Sequence, residues 1–173
     1  MEKPRSNTTI SAAIRNACKD NFGVLDSSFL CQSLSIINMH EPVAVYETDP
    51  LSKAIELLKR KNFGCVIVQD KNDNICGIFT ERDCFLKLLG KEINFDETPV
   101  SGYMTKNPET GKPDDTIAYA LNLMSQGGFR HLPITDGSGM AVGIISIRDV
   151  IDYIVESYTN DLLAFETIDS ILS

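Results

Sequence analysis

Apolar residues recur at helical spacing in two well-separated places. Leu51, Ala54, Ile55 and Leu58 form one stripe, and Ile117, Ala120, Leu121 and Met124 form another. Such spacings put each set on a single helix face. Asp49-Pro50 stands before the first stripe and Asp115 before the second, so both acids are read as helix caps, with Pro50 at the first helical position. Short apolar runs follow, Cys65–Val68 and Leu132–Ile134, each closing on an acid before a polar turn, Asp70–Asn74 and Asp136–Gly139. These are predicted strands with turns. A second strand is predicted at Ile75–Thr80 and at Ala141–Ser146. A further helix is predicted from Glu81 and from Ile147.

The two series are one unit written twice. Residues 49–85 lie over 115–151 without a gap, at a constant offset of 66. Asp49, Ala54, Leu57, Phe63, Asp70, Gly77, Ile78, Arg82 and Asp83 fall on Asp115, Ala120, Leu123, Phe129, Asp136, Gly143, Ile144, Arg148 and Asp149. Pro42 falls on Pro108 at the same offset. A fixed period implies one supersecondary unit used twice.

Pro42–Tyr46 and Pro108–Lys112 are expected as short extended lead-ins to the repeats, and Gly90–Tyr103 as the connection between them. In residues 8–38 the spacing of Ile10, Ala13, Ile14 and Ala17 predicts one or two helices. After Ile147 the apolar face continues through Val150, Ile151, Ile154, Val155, Tyr158 and Leu162. That face packs either on its own repeat or on a second chain. The resulting division is 1–37, a helical extension; 38–90, repeat one; 91–103, a linker; and 104–173, repeat two with a long C-terminal helix.

The candidate chemistry sits where the second strand of each repeat turns into its helix. The two junctions read Gly77-Ile78-Phe79-Thr80-Glu81-Arg82-Asp83 and Gly143-Ile144-Ile145-Ser146-Ile147-Arg148-Asp149. A hydroxyl at the N-cap and an acid three residues on make an ordinary helix cap. The same groups suit a ribose phosphate. The helix start and hydroxyl attract phosphate, and an ionised acid one turn in accepts hydrogen bonds from two vicinal hydroxyls. Two copies at a fixed offset favour the second reading.

Composition narrows the alternatives. At 173 residues and 43% hydrophobic content, the chain is a globular domain or two small halves sharing a core. Its formal net charge of −8 disfavours nucleic acid and anionic membrane as main partners. Met1–Ser11 lacks the apolar run of a signal peptide, and no stretch reaches membrane-span length. Five cysteines without zinc-type spacing are read as reduced thiols, and the expected setting is the cytoplasm, with no metal. His40 and His131 are the only histidines. Neither accompanies a nucleophile motif, and no glycine-rich phosphate loop occurs, so no catalytic residues are assigned.

The repeat resembles the cystathionine-β-synthase (CBS) domain, and residues 38–155 resemble a tandem pair of them, a Bateman module. The resemblance implies an α/β fold of helix-strand-strand-helix repeats related by a pseudo-two-fold axis, and commonly a homodimer. It also implies a non-catalytic sensor of an adenosine ligand (AMP, ADP or ATP) that acts on a partner protein. No cofactor is required. The alternatives are a ligand-free dimerisation or interaction module, or an S-adenosylmethionine sensor. Carried over by position, Thr80 and Ser146 match the phosphate-contacting hydroxyl, and Asp83 and Asp149 the ribose-binding acid. Ile78 and Ile144 match the apolar residue under the base, and Val43, in the lead-in Asn38–Val43, lies against the ring. Arg130-His131 matches a cation pair serving the Asp83 site. Gly64-Cys65 brings no charge to the Asp149 site, and Glu109 stands there in the place of Val43. The resemblance therefore implies two unequal sites, with phosphate at Asp83.

Overall fold

The structure is a computed structural model that describes residues 27–61 and 64–157. The helices expected upstream of residue 27, and Tyr158 and Leu162 of the terminal stripe, lie outside these residues. The chain is α/β, with each repeat running helix, strand, strand, helix. It divides into two compact units that cut across the repeats: 1–38, 114–130 and 146–173 in one, 39–113 and 131–145 in the other.

The second unit holds a four-stranded sheet in the order β1-β2-β3-β4. The strands are β1 (Ala44–Tyr46), β2 (Cys65–Gln69), β3 (Ile75–Thr80) and β4 (Thr105–Lys106). β1 runs parallel to β2, while β3 is antiparallel to both β2 and β4. β2 is apolar from Cys65 to Val68 because both its faces are covered there. Val66 and Val68 join Val45, Leu51, Ala54, Leu58 and Phe79 in the main core. Cys65 and Ile67 face the other way, into a small cluster with Ile78 and Ile144.

Helix α1 (Leu51–Lys61) buries the expected stripe, with Leu51, Ala54 and Leu58 at 5% exposure or less. Its cap is not the one expected. Asp49 Oδ2 accepts from Tyr46 N–H and Lys53 Nζ instead. The first helical amides, Leu51 N–H and Ser52 N–H, donate to the Thr98 and Phe95 carbonyls of the connection. The turn after β2 is built by Asp70, whose Oδ1 accepts from Asn72 N–H and Asn74 N–H. After β3 the chain enters α2, which begins as an α-helix over Glu81–Asp83 and continues as a π-helical turn over Cys84–Leu88.

In the second repeat, α3 (Ile117–Gly127) belongs to the first unit. Its cap is Thr116, whose hydroxyl accepts from Tyr119 N–H, and not Asp115. Gly128 ends the helix in the left-handed region at φ 65°, where the missing Cβ removes the steric cost. Two 3-10 turns, Ser27–Cys31 and Leu34–Ile36, precede the first repeat, and the former packs on α3. Cys31 is disulfide-bonded, which corrects the reading of every cysteine as a reduced thiol, while Cys65, Cys76 and Cys84 are free.

β5 (His131–Thr135) and β6 (Ala141–Ser146) form a two-stranded sheet. Asp136 repeats the Asp70 turn, accepting from Ser138 and Met140. Helix α4 follows over 147–157. It buries Val150, while Ile151 is half exposed at 51%.

The offset of 66 extends to pairing register. Val45 lies opposite Val68, and Gly111 opposite Ile134, both in parallel. Further upstream the repeats part by one residue. Thr105 pairs with Ile78, but His40, not Met39, pairs with Ile144. The extra residue is Asn107, placed in the left-handed region at φ 47° with its N–H donating to the Cys76 carbonyl.

Candidate functional site

The first junction is a complete capping box at the end of β3. Thr80 Oγ1 accepts from Asp83 N–H at 3.2 Å, and Asp83 Oδ2 accepts from Thr80 N–H at 2.9 Å. Thr80 Oγ1 also donates to Asp83 Oδ2 at 2.7 Å. The other carboxylate oxygen, Oδ1, takes Lys87 Nζ at 2.7 Å and Thr105 Oγ1 at 3.4 Å. Asp83 is only 8% exposed, a buried charge made tolerable by this full set of donors. Lys87 and Thr105 carry no signal in the repeat pattern. Lys87 answers to Tyr153, which donates to Gln32 instead.

The second junction repeats the first in outline. Ser146 N–H donates to Asp149 Oδ2 at 2.6 Å, and Asp149 N–H donates to Ser146 Oγ at 3.3 Å. The glycines that open the junctions have one shared surrounding. A Cβ built on Gly77 would meet Met104, and one built on Gly143 would meet Met39.

The residues just ahead of Pro42–Tyr46 and Pro108–Lys112 cross between repeats, while those segments stay with their own. β4, just ahead of Pro108–Lys112, lies along Gly77 and Ile78, on the strand that ends at Thr80. His40, just ahead of Pro42–Tyr46, lies along Ile144. A sequence offset pairs equivalent positions but does not say which copy's strand completes which sheet. Glu109 follows β4, the strand that lies beside Gly77 and Ile78. Val43 is half-buried, and its carbonyl is committed to β2, accepting from Ile67 N–H at 2.8 Å.

Ile78 and Ile144 are brought together, both below 10% exposed, in the cluster with Cys65 and Ile67. The His131 ring lies against Gly64, so that a Cβ there would fall 2.3 Å from His131 Nε2. The Gly64 carbonyl accepts from Glu81 N–H, the first amide beyond Thr80. His131 is thereby placed at the flank of the Asp83 junction. Arg130 belongs to the other unit, exposed, with its carbonyl accepting from Ile147 N–H.

The chain is thus a tandem pair of α/β repeats, each ending its second strand in a hydroxyl–acid capping box. A family model described as the CBS domain matches residues 35–90 and 100–156, and the chain belongs to that family. It is 35% identical over 118 residues to an uncharacterized 17.7 kDa protein of Acidianus ambivalens, covering 66% of this chain and 70% of that one. Other curated relatives are much longer, and the match takes in 20% of their length. Among solved structures it is similar to the CBS-domain containing protein ATU1752 from Agrobacterium tumefaciens. That match is 33% identical with a TM-score of 0.59, over 65% of this chain and 84% of that one. The fold is shared with the CBS domain protein PAE2072 from Pyrobaculum aerophilum complexed with AMP, at 22% identity and a TM-score of 0.63, over 68% and 89% of the two chains. Among the described residues no helix is long and apolar enough to cross a membrane.

Proposed function

We propose that this chain is a non-catalytic regulatory module that binds an adenosine ligand, AMP, ADP or ATP, and passes the state of that site to a partner protein. The observation that carries this reading is the Thr80–Asp83 junction. A buried carboxylate is held on both oxygens, hydroxyl donors stand on each, and His131 lies at the flank. Such a carboxylate accepts a ribose diol, and the Thr80 hydroxyl and the His131 ring suit a phosphate. Ile78 supplies apolar contact for the base, while Val43 and Arg130 are assigned to the ligand by family position alone. Ile144, Ser146 and Asp149 form the second, weaker site. The AMP held by the Pyrobaculum protein of the same fold supports the choice of adenosine ligand.

The module acts as a homodimer in this reading. Phe85 and Leu89 answer to Ile151 and Val155 at the repeat offset, and all four are more than half exposed. Large exposed apolar side chains at equivalent positions of the two repeats are what a self-association surface supplies. A strict monomer by light scattering at high micromolar concentration overturns that part.

The test of the site is thermal unfolding with AMP, ATP or S-adenosylmethionine, followed by calorimetric titration of any hit. A ligand at a hundredfold excess over its Kd stabilises by about 2.7 kcal/mol. The expected result is a clear rise in Tm with AMP. No rise with any adenosine compound overturns the reading, and ATP turnover by pure protein overturns its non-catalytic part.

A further inference from the structure

Asp83 is surrounded by two kinds of donor. Thr80 N–H and Lys87 Nζ are fixed. The amide is part of the backbone, and the lysine is clamped between Asp83 Oδ1 at 2.7 Å and the Tyr103 carbonyl at 2.8 Å. Thr80 Oγ1–H and Thr105 Oγ1–H are hydroxyls, which turn to another acceptor without moving the chain. The fixed and rotatable donors are shared evenly, one of each kind on each oxygen. An ionised carboxylate has about four acceptor positions, so this set fills it. A vicinal diol brings two hydroxyl donors, the same number and type as the two that can turn away. The backbone of β4 stays paired with Ile78 when Thr105 turns, so the exchange needs no strand movement.

Resting on the nucleotide reading above, we infer that Lys87 is the specificity-determining positioning residue of this site. It holds the Asp83 carboxylate oriented so that one acceptor position on each oxygen passes to the ribose hydroxyls. It therefore sets the preference for ribonucleosides over 2′-deoxyribonucleosides. The lysine also balances the Asp83 charge, which lowers the cost of bringing an anionic ligand to a buried carboxylate. It stands four residues beyond Asp83, within the π-helical turn Cys84–Leu88, an irregularity frequent at functional sites.

The experiment is calorimetric titration of adenosine and 2′-deoxyadenosine into the full chain and into Lys87→Met, Lys87→Arg and Thr105→Val. The unmodified chain prefers adenosine by roughly tenfold, the worth of one hydrogen bond to a charged acceptor. Lys87→Met loses most of that ratio through weaker adenosine binding, while 2′-deoxyadenosine changes little. Lys87→Arg keeps the ratio, since a guanidinium still bridges Asp83 and the Tyr103 carbonyl. Thr105→Val binds adenosine as well as or better than the unmodified chain, because the diol no longer displaces a donor. This variant keeps the experiment decisive even if Lys87→Met fails to fold. An unchanged ratio in Lys87→Met, tighter adenosine binding by it, or loss of adenosine binding in Thr105→Val each overturns the inference and leaves the nucleotide reading standing. An unmodified chain that binds neither nucleoside overturns the inference, and one that also fails to bind AMP overturns the nucleotide reading.

Discussion

Met104 lies across Gly77 so closely that a Cβ on the glycine would fall 2.2 Å from the methionine sulfur. The second copy of this contact, Met39 on Gly143, is looser, at 2.9 Å. Both glycines are strand positions where the side chain of a neighbouring segment replaces their own.

The contact predicts unequal costs for the same substitution. Met104 is 8% exposed and packed in the main core, so it has little room to withdraw. Gly77→Ala is expected to destabilise by about 1–3 kcal/mol through overpacking. Gly143→Ala is expected to cost less, because Met39 is only half-buried and needs a smaller shift. Urea unfolding of the two variants measures this, and equal costs would show that Met104 moves aside freely.

The paired turns predict a shared acid response. Asp70 is held below the usual carboxylate range first by Asn72 N–H, with Asn74 adding to it. Asp136 is held down first by the Ser138 hydroxyl, then by backbone N–H groups. A carboxyl whose pKa is lower in the folded chain contributes stability above its unfolded pKa. That stability is lost as pH falls through the folded value. The double variant Asp70→Asn, Asp136→Asn keeps an oxygen acceptor in each turn but does not titrate. Its urea midpoint should fall less steeply than that of the unmodified chain between about pH 5 and 3. Parallel curves would mean that the two turns do not contribute to acid sensitivity.

Much of this fold is legible in the sequence because periodicity and repetition carry it. The bounds of β3 and β6 coincide with the apolar runs Ile75–Thr80 and Ala141–Ser146. The helix stripes are buried as their spacing implies at Leu51, Ala54, Leu58, Ile117, Ala120 and Met124, while Ile55 and Leu121 are half-buried. The caps were less legible. Asp49 and Asp115 stand in the right places, but a carboxylate goes to whichever donor tertiary structure brings. For Asp49 that is Tyr46 N–H and Lys53, and at α3 the neighbouring Thr116 hydroxyl takes the capping role. The crossing of Thr105 and His40 to the other repeat's strand was not legible at all, because both copies match either junction equally well by spacing. Lys87 was hidden for a related reason. Its counterpart is Tyr153, so comparison of the repeats gives it no weight, although its place four residues after Asp83 is the spacing of a helical ion pair.

Burial orders the free thiols by reactivity. Cys65 is 2% exposed, and burial pushes its thiol pKa up to about 12. Burial also raises the pKa values of Cys76 and Cys84, both of which are only half-buried. The thiolate is the reactive form. Iodoacetamide at pH 8 should therefore label Cys76 and Cys84 slowly, and Cys65 only when the chain unfolds. Peptide mass spectrometry over a time course in native buffer and in urea decides it. Rapid native labelling of Cys65 would mean that β2 opens far more often than its burial implies.

The two junctions are expected to differ in what they bind. The Asp83 carboxylate carries Lys87 and Thr105 besides its capping box, and His131 stands at its flank over Gly64. At the other junction the position of Lys87 is taken by Tyr153, and the residue that answers to His131 at the repeat offset is the uncharged Cys65. A hydrogen bond to a charged group contributes on the order of 1.5–3 kcal/mol. Asp83→Ala should therefore weaken AMP or ADP by roughly tenfold to a hundredfold, as two ribose hydroxyls lose their acceptor. Arg130→Ala should weaken phosphorylated ligands while leaving adenosine nearly unchanged, because the guanidinium acts on the phosphate alone. Asp149→Ala should matter less for either nucleotide. Because Asp83 also closes the capping box with Thr80, its alanine variant costs stability as well, about 0.5–2 kcal/mol for a lost cap. Melting curves without ligand separate that cost from the loss of affinity. Calorimetric titration of the three variants with adenosine and AMP completes the test. If Asp149→Ala abolished AMP binding while Asp83→Ala left it intact, the phosphate would belong to the other junction. Equal losses from both substitutions would mean that the donors around Asp83 confer no advantage.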